Sequence, residues 1–129
     1  MINKNILFLT FITISLLFLM GCNTDQGDLE TVSTSAGLDN LAKCLTESDA
    51  KMYGASWCSH CQDQKKSFGE SWQHVNYIEC SLPGGNGQTE VCSQAGIQGY
   101  PTWEFADGTR KSGKLSLESL SELSGCSLN

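Results

Sequence analysis

The stretch YGASWCSHCQDQKK, residues Tyr53–Lys66, places Cys58 and Cys61 three positions apart. A C-x-x-C pair of this kind can hold a metal ion, close a structural disulfide or perform redox chemistry. Zinc sites usually take four ligands, and the sequence has no second C-x-x-C pair and no histidine at ligand spacing from His74. A metal site is therefore disfavoured, and the neighbouring elements must decide between a structural disulfide and a redox centre.

The residues on either side of the pair predict a strand followed by a helix. Ala50–Ala55 is a short apolar run with one charge, and a helix is predicted over Cys58–Trp72. Cys58 then lies at a helix N-terminus, where the helix dipole and free N–H groups stabilise a thiolate. Cys61 lies one turn deeper and is less exposed. The pattern predicts a redox pair in which Cys58 forms the mixed disulfide and Cys61 resolves it.

The rest of the chain alternates between predicted helices and strands. Helices are predicted at Leu38–Ser48, Thr89–Ala95 and Ser116–Ser124, and strands at Val75–Glu79, Thr102–Ala106 and Thr109–Gly113. One strand–helix–strand unit is followed by a helix, a hairpin turning at Asp107-Gly108, and a last helix. This order predicts an α/β fold with a mixed four-stranded sheet and helices packed on both faces.

Residues 1–21 have the layout of a secretory signal. Lys4 precedes an apolar run, Ile6–Met20, which is followed by a small residue. A membrane-spanning helix is the alternative, although the run is shorter than the roughly 20 apolar residues that a span needs. Leu19–Cys22 resembles the lipobox of bacterial lipoproteins. That resemblance implies a lipoprotein signal peptide, cleavage before Cys22 and lipid attachment to that residue, which would anchor the chain to a membrane.

Residues 22–37 are predicted to be a flexible, lipidated tether. From Asn23 onward they are polar, small and acidic, and such a segment cannot bury enough apolar surface to order itself. The folded domain is then predicted at residues 38–129, which is long enough for a modest core.

The charge balance disfavours one class of partner. The chain has 8 basic and 14 acidic residues, and loss of Lys4 with the signal peptide leaves 7 basic residues and a net charge of −7. A nucleic-acid partner would need a basic patch, and the sequence indicates none. We expect a monomer with no nucleic-acid partner.

The strand–W-C-x-x-C–helix unit and the later Tyr100-Pro101-Thr102 together resemble the thioredoxin superfamily. The resemblance implies a thioredoxin-like fold, here with an added N-terminal helix, and a cis-proline at Pro101 that faces the cysteine pair. An ordinary trans turn at Pro101 is the alternative. The backbone beside the proline would pair with an extended substrate segment, so Tyr100 and Pro101 are implied to bind substrate. Trp57 is implied to pack beside the active disulfide.

Four blocks resemble a narrower family. In order, KMYGASWCSHCQDQKKSFG, YIEC, VCSQAGIQGYPTWEF and LSLESLSELSG resemble the thioredoxin-like domain that accompanies bacterial homologues of vitamin K epoxide reductase, with coverage over Leu38–Gly125. The resemblance implies an extracytoplasmic thiol–disulfide oxidoreductase that donates disulfides to cysteine-containing exported proteins. A vitamin K epoxide reductase-like membrane protein would pass its electrons to quinone. The domain would need no cofactor, and it would face the periplasm or the extracellular side of the cell envelope.

Ser59 and Met52 depart from related patterns, whereas His60 matches one of them. Ser59 stands where C-P-H-C relatives have proline, and its hydroxyl could hydrogen-bond a thiolate. His60 resembles the histidine of strongly oxidising members and would favour the reduced thiolate, unless it simply faces solvent. Met52 stands where cytoplasmic thioredoxins carry a buried aspartate, which weakens a reductase interpretation.

The chain has seven cysteines, of which Cys22 is assigned to lipid. Export places the others in an oxidising space, where disulfides persist. A disulfide between Cys80 and Cys92 would staple the glycine-rich loop between them, as a structural bridge or as an electron relay. In a thioredoxin-like core with an added helix, the ends of the domain come close, and a Cys44–Cys126 bridge would clasp them.

Two other functions stay open at this point. The same fold can run as a reductase or isomerase, because the sequence does not encode the direction of electron flow. A non-catalytic module that binds a protein client or a copper ion is the second, since His60 lies between two soft sulfur ligands.

Overall fold

A computed structural model of the chain describes residues 34–129. The predicted signal peptide at 1–21, the lipidation site Cys22 and the tether up to residue 33 lie outside the described residues and stay predictions. None of the helices between residues 34 and 129 is long and apolar enough to span a membrane.

Five α-helical or 3₁₀ segments and four strands follow one another in the described part of the chain. In chain order they are α1 (Ser35–Glu47), β1 (Lys51–Gly54), α2 (Ser59–Phe68), a 3₁₀ helix (Gly69–His74), β2 (Tyr77–Glu79), α3 (Glu90–Gln94), β3 (Thr102–Glu104), β4 (Arg110–Ser112) and α4 (Leu117–Ser124).

The four strands form one mixed sheet in the order β2-β1-β3-β4. β1 runs parallel to β2 and antiparallel to β3, and β3 and β4 form the antiparallel hairpin. Met52 in β1 lies in register with Tyr77 on one side and with Trp103 on the other. The predicted mixed four-stranded sheet is therefore confirmed.

The two faces of the sheet bury separate clusters, because successive side chains of a strand point to opposite faces. Met52 and Trp103 pack with α1, α2 and α4 in the larger cluster, and Tyr53 packs on the other face with α3. The larger cluster includes Leu41, Leu45, Phe68, Phe105 and Leu120, and the smaller one includes Cys80, Cys92 and Ile97. Helices cover both faces, as predicted. This α/β arrangement is that of the thioredoxin-like fold.

The first helix begins earlier than predicted. The sequence pattern assigned residues 35–37 to the tether, whereas α1 begins at Ser35. The Thr34 side chain caps the helix by accepting a hydrogen bond from the Gly37 amide at 3.2 Å. Gly37 is buried, and a Cβ there would lie 2.6 Å from the Leu128 carbonyl oxygen. Gly37 lies against the backbone of Leu128, so the two ends of the described domain meet here, and hydrophobic periodicity does not indicate such a contact.

The second helix ends earlier than predicted. A helix over Cys58–Trp72 was expected, but α2 ends at Phe68 and a 3₁₀ helix continues to His74. Gly69 interrupts the α-helix with φ of 56° and ψ of −133°, which favours glycine. The predicted apolar pair survives the break, since the Phe68 and Trp72 rings meet edge to face at 5.8 Å.

Both disulfides expected from the cysteine pattern are present. Cys44 and Cys126 bridge α1 to the segment that follows α4, and Cys80 and Cys92 bridge the end of β2 to α3. Cys80 and Cys92 are fully buried. The first bridge joins the two ends of the domain, and the second closes the glycine-rich loop.

Candidate active site

Cys58 occupies the turn between β1 and α2, as the sequence predicts. β1 ends at Gly54, and the Cys58 amide donates to the Ala55 carbonyl at 3.0 Å, which closes a tight turn before the helix. Cys58 is the N-cap of α2, with φ of −78° and ψ of 115°. Its Sγ accepts a hydrogen bond from the Cys61 amide at 3.2 Å. The sulfur therefore receives a free helix N-terminal N–H group, a position that favours negative charge.

The two cysteines of the pair differ in access to solvent. Both are free thiols, and Cys58 is 7% exposed whereas Cys61 is fully buried. Burial, followed by the hydrogen bond with Cys58, raises the pKa of the Cys61 thiol to about 12. An outside sulfur can reach Cys58 and not Cys61. This geometry supports the predicted division of roles, in which Cys58 forms the mixed disulfide and Cys61 resolves it.

The predicted substrate-binding residues lie beside Trp57. The Tyr100–Pro101 peptide bond is cis, as the resemblance implied, and Pro101 is buried. The Tyr100 ring meets the Trp57 indole edge to face, with centroids 5.9 Å apart. Trp57 is 60% exposed, so its indole forms an open apolar surface next to the cysteine pair. The substrate-binding role of Tyr100 and Pro101 stays a prediction.

A glycine-rich loop forms another edge of this surface. A Cβ at Gly85 would lie 3.5 Å from the Trp57 indole. Gln88 closes the loop by donating from Nε2 to the Tyr100 hydroxyl at 2.6 Å and to the Ile97 carbonyl at 2.8 Å. The loop between Cys80 and Cys92 is thus part of the site's surroundings, which the sequence pattern did not predict.

Ser59 and His60 occupy the first turn of α2, and both are solvent-exposed. They lie between the cysteines in sequence, and within residues 34–129 neither side chain forms a hydrogen bond with another residue. Their predicted tuning of the cysteine pair therefore stays a prediction.

Glu79, which no sequence pattern indicated, joins three segments beside the site. Its carboxylate accepts hydrogen bonds from the amides of Ser56 at 3.1 Å and Ser81 at 2.9 Å, from the Ser81 hydroxyl and from the Tyr77 hydroxyl at 2.8 Å. Desolvation raises the pKa of Glu79, but the hydrogen bonds outweigh it and hold the pKa below its usual value. The turn before Cys58 is thereby fixed to the end of β2.

Tyr77 lies on the same side of β2 as Glu79. No sequence pattern indicated that it lies beside the cysteine pair. Burial and the hydrogen bond to Glu79 raise the pKa of its hydroxyl. The Lys65 ammonium lies 3.8 Å from the centroid of the Tyr77 ring. The alternation of the predicted strand placed Tyr77 and Glu79 on one face, but only the parallel pairing with β1 brings that face to the cysteines.

Gln64 anchors α2 from within the core. It is fully buried, and its Oε1 accepts from the Leu115 amide at 2.8 Å and from the Trp103 indole at 3.4 Å. Its Nε2 donates to the Leu115 carbonyl at 3.1 Å. A buried glutamine in a polar sequence run carries no signal of this role, because its partners are distant in sequence.

Metal binding finds no support in the geometry. Within residues 34–129, no group of three or more His, Cys, Asp or Glu side chains could hold a metal ion. No observation therefore favours the copper-binding alternative.

The fold and the pair define a thioredoxin-like domain with a C-x-x-C dithiol at the start of a helix. No family model matches the chain. The chain is similar to the thiol-disulfide oxidoreductase LTO1 of Arabidopsis thaliana, with 45% identity over 93 residues. The match covers 69% of this chain and 24% of that protein, so the chain spans about a quarter of the relative's length.

Proposed function

We propose that the chain is an extracytoplasmic thiol–disulfide oxidoreductase that donates disulfides to exported proteins. The observation that carries the proposal is the pair itself, with an accessible Cys58 sulfur at a helix N-terminus and a buried Cys61 one turn further on. The name of the Arabidopsis relative, thiol-disulfide oxidoreductase, agrees with this chemistry. The match spans only part of that protein, so the proposed activity rests on the cysteine pair of this chain.

The exchange begins from the disulfide form of the pair. A client thiolate attacks the Cys58 sulfur, the Cys58–Cys61 bond breaks, and Cys61 leaves with the electron pair and takes up a proton. A second client thiolate then attacks the client sulfur of the mixed disulfide, and Cys58 leaves as a thiolate. The client dithiol loses two electrons and becomes a disulfide, and the domain becomes a dithiol.

A membrane partner would restore the disulfide form. The resemblance to domains that accompany vitamin K epoxide reductase homologues supports a quinone-linked partner that accepts the two electrons. The lipobox-like Leu19–Cys22 supports a lipid anchor that holds the domain near such a partner. The two disulfides of the domain, Cys44–Cys126 and Cys80–Cys92, agree with an oxidising compartment.

The redox potential of the Cys58–Cys61 couple tests the direction of electron flow. With the other two pairs kept oxidised, equilibration against glutathione should give about −120 to −180 mV, in the range of disulfide-donating proteins. A value near −270 mV, about that of thioredoxin, would contradict disulfide donation.

Two serine variants test the roles of the sulfurs. Cys58→Ser should abolish oxidation of a reduced client peptide. Cys61→Ser, incubated with the disulfide form of that peptide, should accumulate a mixed disulfide visible by intact mass, because Cys58 attacks the peptide disulfide, one peptide thiolate leaves, and no Cys61 is present to resolve the product. A Cys58→Ser variant that keeps full dithiol oxidase activity would remove the proposed function.

A further inference from the structure

The buried sulfur of the pair and a tyrosine hydroxyl both lie over the Cα of Gly54. A Cβ at residue 54 would lie 3.2 Å from the Cys61 Sγ, 3.2 Å from the Tyr77 hydroxyl and 2.7 Å from the Tyr77 ring. The sulfur and the hydroxyl therefore approach the same point of the backbone. The last distance is too short for a Cβ, so the tyrosine ring can lie this close because residue 54 is a glycine.

The tyrosine is held in place on several sides. Its hydroxyl donates to the Glu79 carboxylate at 2.8 Å, and Lys65 lies against its ring at 3.8 Å from the centroid. The Trp72 ring meets it edge to face, with centroids 5.6 Å apart. The ring and its hydroxyl are thus held near Cys61 before any reaction begins, with the hydroxyl hydrogen directed to Glu79.

The chemistry at the pair places negative charge on a buried sulfur. Cys61 is fully buried, and desolvation followed by its hydrogen bond with Cys58 raises its pKa to about 12. Its thiolate is therefore a high-energy species whenever Cys61 attacks or leaves. The titratable groups around it are Cys58 and Lys65 on α2 and Tyr77 and Glu79 on β2. The Lys65 charge favours the thiolate, and the Tyr77 hydroxyl is a neutral hydrogen-bond donor close to the same sulfur.

We propose that the Tyr77 hydroxyl donates a hydrogen bond to the Cys61 sulfur while that sulfur carries developing negative charge. The inference rests on the proposed thiol–disulfide exchange. When a client thiolate opens the Cys58–Cys61 bond, the electron pair leaves on Cys61, and the hydroxyl hydrogen turns from Glu79 towards that sulfur. The hydroxyl keeps its proton, and Cys61 is then protonated from water. By microscopic reversibility, the same donor assists Cys61 when it attacks.

The two cysteines can be timed separately with dithiobis-nitrobenzoate, an aromatic disulfide that releases a coloured thiolate. In a full chain that carries Cys22→Ser and has only the Cys58–Cys61 pair reduced, the reagent reacts first at Cys58, which forms a mixed disulfide and releases one aromatic thiolate. Cys61 then loses its proton and attacks Cys58, which closes the protein disulfide and releases a second thiolate. The dithiol loses two electrons, and the reagent gains them as two thiolates.

Tyr77→Phe keeps the ring and removes only the hydroxyl. We expect the second release to slow on the order of a hundredfold, the lower end of the losses measured for a single oxyanion-hole donor. The first release should keep its wild-type rate, because Cys58 takes its hydrogen bond from the Cys61 amide. The potential of the couple should also stay unchanged, because the bond forms only as charge develops.

Tyr53→Phe is the matched control, since Tyr53 is a buried tyrosine on the opposite face of the sheet. It should leave both releases at the wild-type rate. Gly54→Ala is a second variant, in which the added methyl would lie 2.7 Å from the Tyr77 ring and displace it from Cys61, while Tyr77 keeps its hydroxyl. It should also slow the second release selectively.

The outcomes separate this inference from the proposed function. A Tyr77→Phe protein whose second release keeps the wild-type rate overturns the inference alone. Equal slowing of both releases also overturns it, because it would indicate a packing role. A wild-type protein that releases only one thiolate per chain would remove the proposed function and the inference together.

Discussion

Cys58 and Cys61 have identical side chains but different surroundings. Cys58 ends the turn after β1 and reaches the surface, whereas Cys61 lies under the first turn of α2 with no exposure. The spacing of the pair predicts this difference, because three positions along a helix place the second sulfur about one turn deeper. The residues that surround the buried sulfur, Gly54 and Tyr77, could not be predicted in the same way. Gly54 reaches it through the turn that follows β1, and Tyr77 reaches it through the parallel pairing of β2 with β1.

The Glu79 carboxylate should contribute stability that depends on pH. Its pKa in the folded protein lies below the ordinary value of 4.5. The contribution is therefore present above that ordinary value and is lost as the pH falls through the folded value. Glu79→Gln should lower the free energy of unfolding at neutral pH, and the gap from wild type should narrow as the pH falls below 4.5. Urea titrations over this pH range would measure the free energy of unfolding of both proteins. A difference between variant and wild type that does not depend on pH would contradict the prediction.

At the scale of elements, α2 carries the pair and its ends are set by different kinds of interaction. Its start at Cys58 follows from local sequence, since a strand, a short turn and a helix meet there. Its end at Phe68 does not follow from local sequence, because the apolar pattern predicted a helix that continues through Gly69 to Trp72. Apolar spacing continues across Gly69, as the contact of Phe68 with Trp72 shows, so the pattern alone gave no signal of the change to a 3₁₀ helix.

Gln64 should matter for the stability of the contact between α2 and the segment before α4. Gln64→Leu keeps a similar volume but leaves the amide and carbonyl of Leu115 without their partner. Each unsatisfied buried group costs about 1–3 kcal/mol, so we expect a loss of that order in the free energy of unfolding, measured with urea. Gln94→Leu is the control, because Gln94 is exposed and its side chain bonds only to Glu90. Equal losses in the two variants would contradict the anchoring role.

At the scale of the whole molecule, the two disulfides constrain very different lengths of chain. Cys44–Cys126 spans 82 residues and joins the added N-terminal helix to the end of the domain. Cys80–Cys92 spans only 12 residues. A longer loop loses more entropy on closure, so the Cys44–Cys126 disulfide should stabilise the domain more than the Cys80–Cys92 disulfide does.

Removal of each bridge in turn tests this ranking. The chain-entropy relation gives about 4–5 kcal/mol for the long loop and about 3 kcal/mol for the short one. The double variant Cys44→Ala/Cys126→Ala should therefore unfold at lower urea than Cys80→Ala/Cys92→Ala. The reverse order would show that loop length does not govern the stabilisation here. If Cys80–Cys92 is structural, its removal should leave the potential of the Cys58–Cys61 couple unchanged.

The sequence by itself determined the order of elements, the mixed sheet and the place of Cys58 at a helix start, because these follow from local periodicity and turn residues. Only the tertiary structure decided that α1 begins at Ser35, that Gln64 anchors α2, and that Cys61 and Tyr77 both lie over Gly54. Each of these depends on side chains that meet across elements. Contacts of that kind have no local sequence signature, because many residue types can occupy such positions until the packing selects among them.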